Sequence, residues 1–448
     1  MSVVGLIGIL AGIAILMYFS FQKIEVVWLA VLAALVVALF NGMLGLEVYT
    51  ETFMGQAADF FKTYTPIFLV GCIFAAIFSA SGAAQVIAKV IIETFARGGT
   101  HGIKGVVVAV LSCFVITMIF NLGGIDGMAS IIARFPLVLG FFRQVNIPRR
   151  YIPGCIYIGS MTASLPGSPQ IINVVPMSLG TSSTAAFVPG IIGSGVAGIM
   201  AIVFTIFVLH KAQKNGEGFL ELETDPVADD SKKLPNFFVA LIPLAAIFLV
   251  FNVGGVNIVL SMLVGIILAL ILFYPSLKAQ NTENSYKKMV IESVNSSVPQ
   301  VAYISLVTSS LTGFGAVVAA TPTFQILVEK LTGTASDRLG ILFIVVIACS
   351  IVVAIMANPV GGVSSAVSVL APSFLAAGVP ANAFHRLVTL CGTTFDSLPI
   401  NAGVIMAVKM PKCTMREAYP LMAWNSVICT LVSAFVAAGV MTVFPGLI

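Results

Sequence analysis

Apolar residues run along this chain in blocks that do not alternate with polar ones: positions 5–19, 26–40, 191–209, 237–251 and 424–444 are almost uninterrupted. Blocks approaching roughly twenty residues, without the period of two that a barrel strand needs, predict membrane-spanning helices. Spans are expected at about 3–20 and 25–42, and the mixed acidic and aromatic stretch 47–62 suits a helix lying at the interface. The next span, about 66–95, carries a bend at Ser79-Ala-Ser-Gly82. Residues 105–120 and a second apolar stretch reaching Arg143 enclose the polar tip Asn121-Leu-Gly-Gly-Ile-Asp126 and predict a helical hairpin. A broken helix (about 151–180) and a span (about 186–210) follow.

Beyond a hydrophilic stretch the pattern repeats. Spans at 237–251 and 256–273, an interfacial segment at 287–299 and a long span 301–330 with a bend near 313–322 lead to a second hairpin. Its arms, 340–357 and 363–377, enclose the tip Asn358-Pro-Val-Gly-Gly362. The broken stretch Gly159-Ser-Met-Thr-Ala-Ser-Leu-Pro-Gly-Ser-Pro-Gln170 finds its counterpart in Gly392-Thr-Thr-Phe-Asp-Ser-Leu-Pro-Ile-Asn401. The expected fold is an all-α polytopic membrane protein of two inverted-topology repeats, each of about five transmembrane helices plus one hairpin and one broken helix. Residues 1–210 form the first repeat, 211–235 a solvated cytoplasmic linker and 236–448 the second repeat.

Composition agrees: of 448 residues, 59% are hydrophobic and 9% charged, with mean hydropathy +1.08. The first apolar block lacks a positive flank and a small-residue cleavage site, so it is expected to be a span and not a signal peptide. The net charge of +4 is topological. Lysine and arginine collect at 23, 97–104, 143–150, 211–233, 278–288 and 409–416, which places those loops in the cytoplasm and both termini outside a cell inner membrane. Arg338, beside Asp337, is the main exception. Six of the seven cysteines stand inside apolar blocks without Cys-x-x-Cys or Cys/His spacing, so neither a disulfide framework nor a metal is expected. No nucleic-acid partner follows from the charge.

An interrupted helix in lipid must find partners for its freed backbone groups, and is tolerated where it lines a cavity or is buried in protein. Two hairpin tips and two breaks in matching positions therefore point to one central binding site. At the first tip the candidates are Asn121, Gly123 and Gly124, and at the first break Thr162, Ser164, Ser168 and Asn173. The second tip offers Asn358, Gly361, Gly362 and Ser364, and the second break Thr393, Thr394, Ser397 and Asn401. Half-helices beginning there direct their positive ends inward, which favours a carboxylate. Asp126 and Asp396 have no acidic counterparts across the repeat and are candidate proton carriers, a helix cap and a backbone brace being the structural alternatives. His385-Arg386 stands on an otherwise apolar helix, where the arginine is expected to snorkel outward, with anion attraction as the alternative. Ser79, Ser81, Ser309, Ser310 and Thr312 are further cavity candidates, or packing residues. No serine–histidine–aspartate arrangement, phosphate loop or zinc spacing occurs, so neither an enzyme nor a cofactor is expected.

Phe135-Pro-Leu137, Asn146-Ile-Pro-Arg-Arg150, Ile152-Pro-Gly154 and Leu165-Pro-Gly-Ser-Pro-Gln-Ile-Ile-Asn173 together resemble the gluconate permease (GntP) family of the ion transporter superfamily, and most of all its hydroxybutyrate-permease-like branch. The likeness spans essentially the whole chain. It implies inverted repeats, frequent dimerisation with an elevator-like moving domain, and proton-coupled uptake of a small hydroxy-monocarboxylate, the tips and breaks holding substrate and ion. Gluconate permeases proper carry histidine and further prolines where this chain has Ser164 and Ser168, which directs the expectation toward a less hydroxylated acid such as 3-hydroxybutyrate. Sodium-coupled carboxylate transport on the same fold and a passive anion channel are the competing readings.

Overall fold

The computed structural model describes residues 3–22, 24–43, 45–97, 99, 101–125, 127–223, 225, 234–280, 286–333, 338–356, 358–399 and 401–448, and among them every regular element is helical. The chain opens with α1 (Val3–Phe21) and α2 (Val26–Phe40), packed on each other, and reaches a π-turn, Val48–Phe53, that leads unbroken into α3 (Met54–Ala80). The stretch 47–62, expected as a separate interfacial helix, is thus the first part of a helix that continues through Pro66. Its buried residues Phe53, Ala57 and Phe60 fall on one face, with Glu51, Asp59 and Lys62 exposed on the other. Helix α4 (Ala83–Ala96) leaves at the expected bend, where Gly82 has φ +76. The first hairpin is α5 (Gly102–Leu122) and α6 (Gly127–Gln144). The broken stretch follows as α7 (Ile152–Ile156), a 3-10 turn Ser160–Ser164, extended chain and α8 (Ile171–Val174), before α9 (Phe187–Lys214).

A similar order of elements then follows, with one short helix, Tyr274–Gln280, as an addition. α10 (Phe237–Asn252) and α11 (Ile258–Leu272) are capped by the Asn236 and Asn257 side chains. After α12 (Tyr274–Gln280) comes the long α13 (Tyr286–Ala320), which runs through Pro299 as α3 runs through Pro66. α14 (Pro322–Gly333) precedes the second hairpin, α15 (Arg338–Met356) and α16 (Pro359–Ala376). The second break separates α17 (Ala381–Cys391) from α18 (Ala402–Lys409). α19 (Met415–Ala423) and α20 (Cys429–Val443), joined by a π-turn, form one continuous helix.

Among the described residues, six helical stretches are long and apolar enough to cross a membrane: Val48–Ala80, Gly102–Leu122, Phe187–Lys214, Tyr286–Ala320, Pro359–Ala376 and Met415–Val443. Helix α9 shows how its two sides divide. Ala197, Ala201, Thr205 and Leu209 are buried every fourth residue, whereas Ile199, Val203 and Phe207 are 61–65% exposed on the opposite face. An exposed stripe of this kind suits acyl chains and not water. The buried stripe meets α20, where a Cβ on Gly193 would stand 2.5 Å from the Ser433 carbonyl oxygen, so glycine sets how closely the backbones approach.

Among helices distant in the chain, the most extensive packing pairs α3 with α13 and α9 with α20, and it comes with reciprocal crossings of α2 on α13 and α11 on α3. The halves also interlock at their breaks. α7 packs on α19, α18 on α6 and α7, and α17 on the turn Val175–Leu179.

Within the expected linker α9 continues to Lys214, and four side chains of the largely exposed stretch that follows are tied to the basic loop 143–150. Glu217 pairs with Arg150, Glu221 with Arg143 at 3.2 Å, and Asp225 with Arg149 at 2.5 Å. Phe219 lies under Arg143 and Arg149, and its backbone N–H donates to Asn146. Burial pushes the Asp225 carboxyl up, but hydrogen bonds from Arg149 and Leu222 N–H, with the Arg149 and Arg143 charges, outweigh it and hold the group below the usual carboxylate range. A depressed folded value stabilises docking above the free-carboxyl pKa and loses that contribution as pH falls through the depressed value. Protease protection of the stretch carrying Glu217 to Asp225 is therefore expected at neutral pH and to decline progressively as pH falls below the free-carboxyl value of about 4. In Asp225→Asn it is expected to be lost already at pH 7, which limited proteolysis at a pH series will test.

Candidate functional site

Each half supplies one tip and one break, built by local chemistry. At the first tip α5 stops because Gly124 takes φ +74, letting Ile125 N–H reach the Phe120 carbonyl at 3.0 Å in a helix-ending turn. The second tip starts α16, with Pro359 in the first turn and the Asn358 Oδ1 accepting from Gly361 N–H at 2.8 Å. In the first break Gly167 has φ +81, its N–H donates to the Ser183 carbonyl at 2.9 Å and its carbonyl accepts from Asn252 Nδ2 at 2.8 Å. At the second break Asn401 caps α18, accepting from Gly403 and Val404 N–H.

A cavity of about 480 Å³ opens where the tips and breaks meet. Of the residues singled out in the sequence, Asn121, Asn358, Thr393, Asp396, Ser397 and Asn401 line it. Asn121 Nδ2 donates to Thr162 Oγ1 at 2.9 Å and to the Gly159 carbonyl at 3.4 Å, tying the first tip to the first break. Its own carbonyl accepts from Gln170 Nε2 at 3.2 Å and Ser168 Oγ at 3.3 Å. Asp396 lies in the turn Phe395–Ser397, accepts from Ser397 Oγ at 3.0 Å, and has no ion-pair partner among the described residues. Ile24, Glu25 and Tyr303 line the cavity and are exposed, which marks the mouth beside the α1–α2 turn.

The other candidates stand behind this wall. Gly123 packs on Leu244 and Gly124 faces Met262 and Pro169. Thr162, Ser164 and Thr394 spend their hydroxyls on the carbonyls of Gly159, Met161 and Cys391. Gly361 stands against Asn358, Gly362 lets the hairpin arms close on Val353, and Ser364 is buried in α16. Ser309, Ser310 and Thr312 lie outside the cavity, which takes Thr308 and Leu311 from the same helix. Asp126 lies outside the described residues.

Arg386 corrects its sequence reading. It is fully buried, not extended to headgroups. Its Nε donates to the Ala185 carbonyl at 2.8 Å, Nη1 to the Ser164 carbonyl at 2.9 Å and Asn173 Oδ1 at 3.2 Å, and Nη2 to the Ser183 carbonyl at 2.9 Å. Asn173, a substrate candidate, is accordingly a brace: it receives Arg386, and its Nδ2 donates to the Ser168 and Ser183 carbonyls at 2.9 and 3.0 Å. The adjacent His385 meets Thr181 Oγ1 at 2.6 Å through Nδ1. A helix of the second half thus fastens the unwound chain of the first, supplying donors that its broken backbone lacks.

The wall also contains Ser160 and Gln170 of the first broken stretch, and residues that the sequence pattern did not mark, among them Thr117, Ser130, Arg134 and Tyr157. Arg134 is the basic member of the wall among the described residues. A signal for it existed, because an arginine between Ile132 and Phe135 in an apolar helix is an intramembrane charge.

No protein-family model matches the chain. It is similar to the uncharacterized transporter YxjC of Bacillus subtilis (strain 168), with 25% identity over 466 residues, 92% of this chain and 94% of that protein. Among solved structures, the crystal structure of the Alcanivorax borkumensis YdaH transporter aligns at TM-score 0.46 with 12% identity, covering 90% of this chain and 89% of that one.

Proposed function

We propose that the chain is a secondary active transporter of gluconate permease type, moving a small hydroxy-monocarboxylate with protons by alternating access. The observation that carries this reading is the cavity of about 480 Å³ at the junction of two hairpin tips and two broken helices, with Arg134 and Asp396 in its wall. Its volume exceeds a small hydroxy acid, leaving room for water at about 30 Å³ each. A cation and the starts of α16 and α18 favour an anion, while Asn121, Tyr157, Ser160 and Thr393 offer partners to a substrate hydroxyl. Asp396, in the same wall, is the proton carrier.

The recurring order of elements and the reciprocal crossings of α2 with α13 and α11 with α3 support two inverted repeats. With the α1–α2 turn in the cytoplasm, the mouth beside Glu25 makes this an inward-facing state, with both termini outside a cell inner membrane. A homodimer is the assembly we propose. The similarity to a protein named as a transporter agrees with the reading.

The test is uptake of labelled 3-hydroxybutyrate into proteoliposomes under an inward proton gradient, with gluconate, lactate and citrate as competitors. Accumulation that a protonophore collapses, with competition by monocarboxylates ahead of citrate, is the expected result. Accumulation that requires sodium and ignores pH would replace the coupling ion. Conductance without accumulation would replace the transporter by a channel.

A further inference from the structure

We infer that Arg134 is the carboxylate anchor of the cavity, with Ser130 as a neighbouring donor to the same group. This deepens the functional reading above and rests on it.

Arg134 is 4% exposed, yet it lines the cavity. Its guanidinium is held on one side only: Nε donates to the Ser130 carbonyl at 3.0 Å, and Nη1 to Thr117 Oγ1 and to the Ile156 carbonyl at 3.3 Å. These bonds come from α5, α6 and α7 and fix the plane of the group. Nη2 has no partner among the described residues, and no described carboxylate stands within ion-pair distance. A buried arginine in a membrane protein is costly and pairs with something. Here the unfilled position faces the proposed substrate.

Two further donors point to the same ligand. Ser130 lines the cavity, and its Oγ, buried beside it, has no partner among the described residues. The Nδ2 of Asn358, whose Oδ1 is engaged in capping α16, likewise has none among them. The charge in the wall also restricts the ligand. With Asp396 protonated, as its role as carrier requires, and Glu25 out at the exposed mouth, Arg134 is the one charge deep in the wall among the described residues, so one carboxylate is matched and a second has no cation to meet. The fit is to a monoanion. A guanidinium already held in plane gives up little freedom on forming a forked pair with that carboxylate.

Binding of 3-hydroxybutyrate and of its uncharged amide to the purified full chain separates this role from a structural one. The wild type is expected to prefer the acid by about 10- to 100-fold, the scale of charge-assisted hydrogen bonds. Arg134→Gln, if monodisperse, is expected to bring acid and amide to similar affinity while leaving the amide nearly unchanged, whereas a distorted site would weaken both. Ser130→Ala removes no hydrogen bond of the fold and is expected to weaken acid binding about two- to tenfold. An Arg134→Gln protein that keeps the acid preference overturns the inference. If that variant does not fold, wild-type affinity in Ser130→Ala overturns it instead. A wild type that binds the amide as well as the acid overturns it too. A wild type that binds neither of these, nor lactate nor gluconate, contradicts the functional reading itself.

Discussion

Arg386→Met is expected to abolish uptake and to lower the unfolding temperature in detergent by roughly 3–7 °C. The substitution keeps an apolar stem of similar reach and removes every donor. Three carbonyls, of Ser164, Ser183 and Ala185, and the Asn173 Oδ1 would each lose a hydrogen bond. Orphaning a buried acceptor costs on the order of 1–3 kcal/mol, and the unwound chain between Ser164 and Ala185 has no helical ladder to fall back on. Relief from burying a charge offsets part of this, so the net loss is several kcal/mol and not the full sum. Arg386→Lys should recover little, because one ammonium cannot reach acceptors spread across the guanidinium fork. Thermal unfolding of the two variants alongside uptake checks this. Wild-type stability in Arg386→Met would contradict a bracing role.

Asp396→Asn is expected to separate coupling from binding. The amide matches the carboxylate in shape and cannot carry a proton at its side chain, so accumulation under a proton gradient should fall to simple equilibration. Exchange of labelled for unlabelled substrate across the same membranes, which needs no net proton movement, should continue within a few-fold of wild type. Ser397 Oγ can still donate to the remaining amide oxygen, so the turn Phe395–Ser397 is conserved. Retained accumulation would exclude Asp396 as carrier. Loss of exchange together with accumulation would make it a substrate ligand.

Hairpins and breaks were legible because each is announced locally. Asn121-Leu-Gly-Gly and Asn358-Pro-Val-Gly-Gly interrupt apolar helices with residues that end or cap them, and the Ser-Leu-Pro stretches do so again. The continuity of α3 was legible too, in the spacing of Phe53, Ala57 and Phe60, but charged residues on the opposite face masked it. The ties of Glu217, Phe219, Glu221 and Asp225 to the basic loop were not. The acids find Arg143, Arg149 and Arg150 from more than sixty positions away, and hydrophilic composition alone does not distinguish docking from solvation.

At the site, residue type was legible and direction was not. Asn121 and Asn173 both accompany a break, yet one lines the cavity and the other is taken up by Arg386. Arg134 and Arg386 lie within apolar helices, where the cost of a buried charge marks both as consequential. Glycine and proline breaks mark neither, and an apolar helix around an arginine does not say whether the guanidinium meets a cavity, a set of carbonyls or the headgroups. Which carbonyls they meet depends on how the two halves interlock, and no single stretch of chain contains that information.

Whether the solute crosses at this cavity is tested most directly by accessibility of a cysteine placed in its wall. Ala163→Cys lines the cavity without taking part in the polar network described, and Cys413→Ser removes the half-buried native thiol, the remaining six being buried. An impermeant maleimide is applied to inside-out or right-side-out vesicles, with and without 3-hydroxybutyrate. Alternating access at this site predicts labelling from either face and suppression of both by substrate. Labelling from a single face under every gradient, unchanged by substrate, would contradict it.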